Sequence, residues 1–242
     1  MPSPFTRKTL AFLRALKRNN DREWFRARKA DYEQHVRGPM VAVLARLAND
    51  FRTFAPELVA DPRICLFRIY RDTRFSEDKS PLKTHVAAHF PPRGFPRPEG
   101  AGLYFEVAPT WVWIGGGIYM PTTSELQAIR EHVASTHPRL HRIVTSTTFR
   151  RVIGQLSGDR LTRVPRGYDK THPAANYLQH KQFLAFREFD AEFAIEDHFY
   201  AELVRTFKAI MPLVRFLNEP LRSRSTEAQR TQRFLDFGSP RL

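Results

Sequence analysis

The sequence predicts an α+β fold, in which a central, mostly antiparallel sheet is flanked by N-terminal and C-terminal helices. Apolar residues follow a helical period near both ends of the 242-residue chain, as at Leu10, Leu13 and Leu16. The middle of the chain instead contains short apolar runs bounded by Gly and Pro, which are typical of strands. Helices at both ends of a strand-rich block favour α+β over a doubly wound α/β fold.

The N-terminal third is predicted to be helical. Its first helix ends near Asn20, which is predicted to cap the following helix because Glu23 comes three residues later, as in a capping box. The helical period then continues to Phe51, and Pro39 is predicted to kink or restart the helix.

The central block is predicted to contain four strands. Alternating side chains predict a strand from Ile64 to Tyr70, and a second strand is predicted from Val86 to Phe90. Leu103 to Val107 and Thr110 to Ile114 are predicted to form a hairpin. The three glycines that follow, residues 115–117, indicate a bulge or a close approach of backbone.

The C-terminal half is predicted to combine helices with short strands. The predicted elements are, in order, a helix over Pro121–Ser135, a helix over Leu140–Ile153, a strand over Leu161–Val164, a short helix over Pro173–His180, a strand over Phe183–Phe193 and a long helix over Glu196–Leu217. Residues 1–217 are therefore predicted to form one α+β domain, and residues 218–242 a basic, loosely ordered tail.

The composition predicts a cytoplasmic protein with no membrane partner. No run approaches the roughly 20 apolar residues that cross a bilayer, and the N-terminus lacks the apolar core of a signal peptide. Cys65 is the single cysteine, so an intrachain disulfide is excluded, and its apolar neighbours predict a buried thiol.

The chain is strongly basic, with 39 Lys and Arg residues against 25 Asp and Glu residues. A net charge of +14 favours acidic partners, nucleic acid among them. Arginine greatly outnumbers lysine, however, and GC-rich codon usage produces the same bias. Both interpretations of the charge, functional and compositional, stay open.

The densest group of charged residues follows the first predicted central strand. Because Arg and Lys side chains bind phosphate and carboxylate groups, this loop is predicted to bind an anionic, for example phosphorylated, small molecule. The predicted contacts are Arg68, Arg71, Arg74, Lys79 and Lys83, with Asp72 and Asp78 orienting them. The alternative is a surface loop stabilised by its own salt bridges.

A second polar cluster lies just before the predicted helix at Pro173. Lys170 and His172 are predicted to close the anion site from this side, because the N-terminus of a helix favours negative charge. A plain capped turn is the alternative.

Two other functions stay open. In the first, Asp72 or Asp78 acts with Lys79 in a hydrolase or transferase. In the second, the basic surface is a nucleic-acid or protein interaction module whose binding weakens steeply with salt. The sequence contains no nucleophile elbow, dinucleotide fingerprint, kinase motif or HExxH motif. No metal site is therefore predicted and no cofactor is assigned, while Trp111 and Trp113 are predicted to pack in the sheet.

Four motifs resemble a known family. They are Asn19–Phe25, Phe67–His85, Gly116–Pro121 and Pro165–Pro173. Together they resemble the bacterial and fungal family catalogued as domain of unknown function 2461, over about Phe12 to Leu217. The resemblance implies one compact domain and assigns no activity, substrate or catalytic residue. His85 stands where the family pattern has a small polar residue such as Asn, which argues against a catalytic role for His85.

Overall fold

The fold was analysed in a computed structural model that describes residues 2–74, 76–95 and 99–237, with side chains described through residue 222. The helices are α1 Arg7–Arg18, α2 Arg22–Ala27, α3 Lys29–Tyr32, α4 Gly38–Phe54, α5 Pro62–Cys65, α6 Thr123–Thr145, α7 Thr147–Val152, α8 Ala175–Leu178 and α9 Phe199–Phe237. A π-helical turn over Glu33–Arg37 joins α3 to α4, and a 3-10 helix over Ala191–Ile195 precedes α9.

Four strands form one sheet in the order β1-β2-β3-β4. They are β1 Val86–Phe90, β2 Gly102–Val107, β3 Trp111–Ile118 and β4 Phe183–Asp190. Strands β1 and β2 are antiparallel. With helices at both ends of the chain, the predicted α+β class is confirmed. No described helix combines the length and the apolar character that crossing a membrane requires.

The chain forms two compact units. Unit 1 comprises Met1–Phe90, Leu103–Gly115 and Phe186–Lys208, and unit 2 comprises Pro91–Gly102, Gly116–Ala185 and Ala209–Leu242. The single domain over residues 1–217 stays a prediction.

The core of unit 1 is rich in aromatic rings. Phe90 contacts Phe51 and Phe207 edge-on, with centroids 5.1 and 5.6 Å apart, and it lies 6.3 Å from Phe105. Such aromatic pairs contribute about 0.5–1.5 kcal/mol each beyond the area they bury. These contacts pack helix α4 and the start of α9 against the inner face of strand β1.

Unit 2 contains a buried polar contact on α9. Asn218 is 1% exposed, and its amide donates to the Ala101 carbonyl at 2.9 Å while accepting from the Ala101 N–H at 2.8 Å. Asn218, the predicted start of the tail, thus lies inside α9, which runs to Phe237. The last predicted tail residues, 238–242, lie outside the described residues.

Two predicted strands are wrong. Asp61 caps α5 by accepting from the Arg63 N–H at 2.9 Å, and Pro62 fits the first helical turn, so Ile64 and Cys65 are helical. The rest of the predicted Ile64–Tyr70 strand has only isolated bridges, at Leu66 and Tyr70. Leu161–Val164 is irregular, and its neighbour Arg160 makes one bridge to His180.

The predicted cap at Asn20 is also wrong. Asp21 caps α2, accepting from the N–H groups of Glu23 and Trp24 at 2.8 and 2.9 Å. The Asn20 amide instead donates to the Leu82 carbonyl at 2.8 Å and accepts from the Leu82 N–H at 3.0 Å. Asn20 therefore holds Leu82 in place, near the C-terminal end of the charged segment Arg68–Lys83.

Candidate functional site

The charged segment forms a loop whose two ends pair with each other. The Arg71 N–H donates to the Pro81 carbonyl at 2.9 Å, and the Lys83 N–H donates to the Ile69 carbonyl at 2.8 Å. We call residues 71–81 the polar loop; Phe75 within it lies outside the described residues. This pairing places Arg68 and Lys83 on adjacent backbone at the base of the loop, although 15 positions separate them in sequence.

All three basic residues of the polar loop have partners inside it. Arg71 forms a close salt bridge with Asp78, and the Arg74 guanidinium binds Asp72 through contacts of 2.7 and 3.0 Å. The Lys79 ammonium donates to the Thr73 carbonyl at 3.1 Å. These three predicted ligand-binding residues are thus held by neighbours in the loop.

Two aspartates of the polar loop, Asp72 and Asp78, are held ionised. Hydrogen bonds from Arg74 lower the pKa of Asp72 to about 2, and those from Ser80 and Arg71 lower the pKa of Asp78. A general base works best when its pKa lies near the operating pH. This arrangement therefore favours ion pairing over proton transfer by Asp72 or Asp78.

Lys83 is in a different environment, at the base of the loop. Its ammonium lies 4.4 Å from the centroid of the Phe67 ring. Burial, and then the like charges of Arg68 and Arg71, lower the pKa of Lys83. Arg68 is exposed and forms no salt bridge within the described part of the chain. Positive charge is therefore crowded and incompletely neutralised at this point.

Four aromatic rings, the first of which is Phe67, extend across the outer face of the sheet. Phe67 lies 6.2 Å from Tyr104, Tyr104 lies 6.0 Å from Trp113, and Trp113 stacks on Phe186 at 4.4 Å. We call Phe67, Tyr104, Trp113 and Phe186 the aromatic row. Its members are exposed or half-buried, whereas the neighbouring Phe105 and Val107 on β2 point inward and are buried.

Glu106 anchors the edge of the aromatic row. Trp111 donates its indole N–H to Glu106 Oε1 at 2.6 Å, and the Tyr104 hydroxyl donates to Glu106 Oε2. His85 Nε2 lies 3.6 Å from the same Oε2 atom, and burial lowers the pKa of His85 so that the ring is neutral at pH 7. The carboxylate therefore fixes Tyr104 and Trp111.

Trp113 packs in the sheet as predicted, whereas Trp111 is 37% exposed. The aromatic row and Glu106 were not predicted as site residues from the sequence. One feature of the sequence indicates part of this surface: Tyr104 and Glu106 alternate with buried residues along β2. The hairpin itself contains no basic residue, and the cation beside the row comes instead from Lys83, well before it in the chain.

The second predicted cluster lies in unit 2. The N–H and hydroxyl of Thr171 both donate to Asp169 Oδ1 at 2.7 Å, and His172 Nδ1 accepts from the Ala174 N–H at 3.0 Å. Helix α8 starts at Ala175 rather than Pro173 and has only four residues. His172 therefore has a local turn partner and Lys170 is exposed. Their role in closing the anion site stays a prediction.

Comparison with known proteins identifies the family. Neither a search of curated proteins nor a search of solved structures finds a match. Residues 8–216 match the family described as conserved hypothetical protein, DUF2461, which confirms the resemblance carried by the four motifs. Because the match covers most of the 242 residues, the chain belongs to this family.

Proposed function

We propose that this protein binds a small anion that carries a planar ring, at the Phe67 end of the aromatic row. The observation that supports this proposal most is the position of the Lys83 ammonium, which lies over the Phe67 ring and is crowded by two arginines. An anion bound there neutralises the crowded charge, and a ring attached to that anion reaches exposed aromatic surface.

The cations at the base of the polar loop are less neutralised than those within it. Asp72 and Asp78 are both engaged by arginines of the polar loop, and Glu106 already accepts from Tyr104 and Trp111. Lys83 and Arg68 have no carboxylate of their own at hydrogen-bond distance within the described residues. A phosphate or carboxylate between them gains charge-assisted hydrogen bonds. It also relieves the arginine repulsion that, after burial, lowers the pKa of Lys83.

Aromatic surface at the site is exposed to solvent. Phe67 in the aromatic row is 42% exposed, and Trp111, which donates to Glu106 beside the row, is 37% exposed. Stacking of a planar group on an aromatic side chain contributes about 1–3 kcal/mol. A ligand that joins a ring to an anion therefore uses both features of the site.

The site favours a small ligand over a nucleic-acid strand. A strand needs a row of phosphate contacts, whereas Arg71, Arg74 and Lys79 are engaged within the loop. The arrangement also favours binding over the hydrolase or transferase alternative, since hydrogen bonds within the polar loop hold Asp72 and Asp78 ionised.

The test uses adenosine monophosphate, adenosine and inorganic phosphate as probes. Each is titrated into the full chain while tryptophan fluorescence is followed, because Trp113 belongs to the aromatic row and Trp111 donates to Glu106 beside it. We expect the monophosphate to bind at least tenfold more tightly than either fragment, since only it makes both the charge and the ring contacts.

Two outcomes count against the proposal. If adenosine binds as tightly as its monophosphate, the cations do not contribute to binding. A single-stranded oligonucleotide that binds more tightly than the monophosphate, with a steep salt dependence, favours the nucleic-acid alternative instead.

A further inference from the structure

Unit 2 contains a cleft of about 340 Å³. It is formed by the end of α6, by α7 and α8, and by the chain between α7 and α8. The polar side chains that line it are Thr145, Arg150, Gln155, Arg160, Asn176, Tyr177 and His180. Its volume lies in the range of small-molecule sites, which is about 300–1,000 Å³.

The lining of the cleft is positively charged. Arg150 and Arg160 line it, and no Asp or Glu residue is among the lining residues that the structure describes. Arg150 is exposed on α7, and its side chain makes no hydrogen bond or salt bridge within the described ranges. Arg150 and Tyr177 line the same cleft, and the charge of Arg150 opposes the rise that burial causes in the pKa of Tyr177.

Arg160 is held in place at the cleft. Its Nη2 donates to the Asn176 carbonyl at 2.7 Å and to Gln179 Oε1 at 2.9 Å, and its backbone forms a bridge with His180. A guanidinium has five N–H donors, so several remain for a ligand after these contacts. Its position is therefore fixed before any ligand binds, which favours affinity.

His180 adds an acceptor to this lining. It is 5% exposed, and its Nδ1 lies 3.1 Å from the Gln182 carbonyl. Because a carbonyl only accepts, Nδ1 carries the proton, and in the neutral ring Nε2 is then an acceptor. Burial, and then Arg160, lower the pKa of His180 to about 4, which keeps the ring neutral at pH 7.

We propose that this cleft is a second binding site, which takes a small hydroxylated anion. Arg150 and Arg160 bind the phosphate or carboxylate group, and His180 accepts from a hydroxyl of the same molecule. The site lies in unit 2 and does not depend on the aromatic row of unit 1.

The experiment is calorimetric titration of the full chain with glycerol 3-phosphate, malate and glycerol. The first two probes separate a phosphate from a carboxylate ligand, and glycerol lacks the charge. Arg150→Gln is compared with Arg151→Gln, which removes the neighbouring exposed arginine of α7 that does not line the cleft.

We expect at least one of the two anions to bind, glycerol to bind at least tenfold more weakly, and Arg150→Gln to reduce anion affinity at least tenfold. Arg151→Gln is expected to change that affinity less than twofold. Equal losses in the two variants, or no binding of either anion, overturn the proposal. We expect Lys83→Met, which removes a cation of the proposed site in unit 1, to leave anion binding at the cleft unchanged. A failure of the cleft proposal is therefore distinguishable from a failure of the proposed site in unit 1.

Discussion

Replacing Gly117 with alanine is expected to destabilise the protein by about 3 kcal/mol or more. Gly117 has a φ of +120°, and a Cβ atom there would lie 2.0 Å from the Phe183 carbonyl oxygen. Phe183 begins β4, so this collision is with backbone that cannot rotate away as a side chain would. For a protein of this size, the expected fall in Tm is roughly 6–12 °C.

Gly154→Ala is the matched control. Gly154 has a comparable φ of +96°, but no atom lies within 4 Å of the Cβ that alanine would add. The control therefore contains the backbone strain without the collision. Thermal unfolding that is equally affected in both variants would show that the approach of Phe183 to Gly117 has no part in stability.

The Lys83→Met variant is expected to bind adenosine monophosphate at least tenfold more weakly than the parent chain. A hydrogen bond to a charged group contributes about 1.5–3 kcal/mol, which corresponds to roughly 10–150-fold in Kd. Methionine keeps a flexible apolar chain over Phe67, so the variant removes the charge with little loss of packing. Affinity is measured by fluorescence titration.

Lys79→Met is the matched control for this effect. It also removes one lysine charge, but the Lys79 ammonium is engaged with the Thr73 carbonyl inside the polar loop. We expect its affinity to stay within about threefold of the parent, because a loss of general positive charge alone is screened by salt. An equal loss in both variants would attribute binding to net charge and not to the position of Lys83.

The fold class could be predicted because it depends on local periodicity. Leu10, Leu13 and Leu16 are all buried on α1, and β1 has the bounds predicted for it. The predicted Ile64–Tyr70 strand is wrong at its start because Asp61 and Pro62 begin a helix there. Its remainder makes only isolated bridges, which the alternation of apolar residues does not reveal.

The charged loop could be located from sequence, but its internal pairing could not. The partners Arg71 and Asp78 are seven positions apart, a spacing that neither a single helix nor a single strand brings into contact. Their contact depends on the closure of the polar loop, and Asn20 binds Leu82 directly after that loop. Charge density predicts where a binding loop lies, but contacts decide which cations are available.

The aromatic row could not be predicted because it joins three distant segments. Phe67, Tyr104 and Phe186 become neighbours only through the strand order of the sheet and the path of the chain before β1. The order and register of strands are set by long-range contacts, which single-sequence patterns do not encode.

The most direct test of the site at Lys83 is the pKa of its ammonium, followed by NMR in chain labelled with carbon-13 at lysine. In the ligand-free protein we expect this pKa to lie below the ordinary value of 10.5, because burial and the arginine charges disfavour the ammonium. Saturation with adenosine monophosphate should raise it, since a bound phosphate stabilises the charged form. A Lys83 pKa that does not change on saturation would contradict the proposal that the anion binds there.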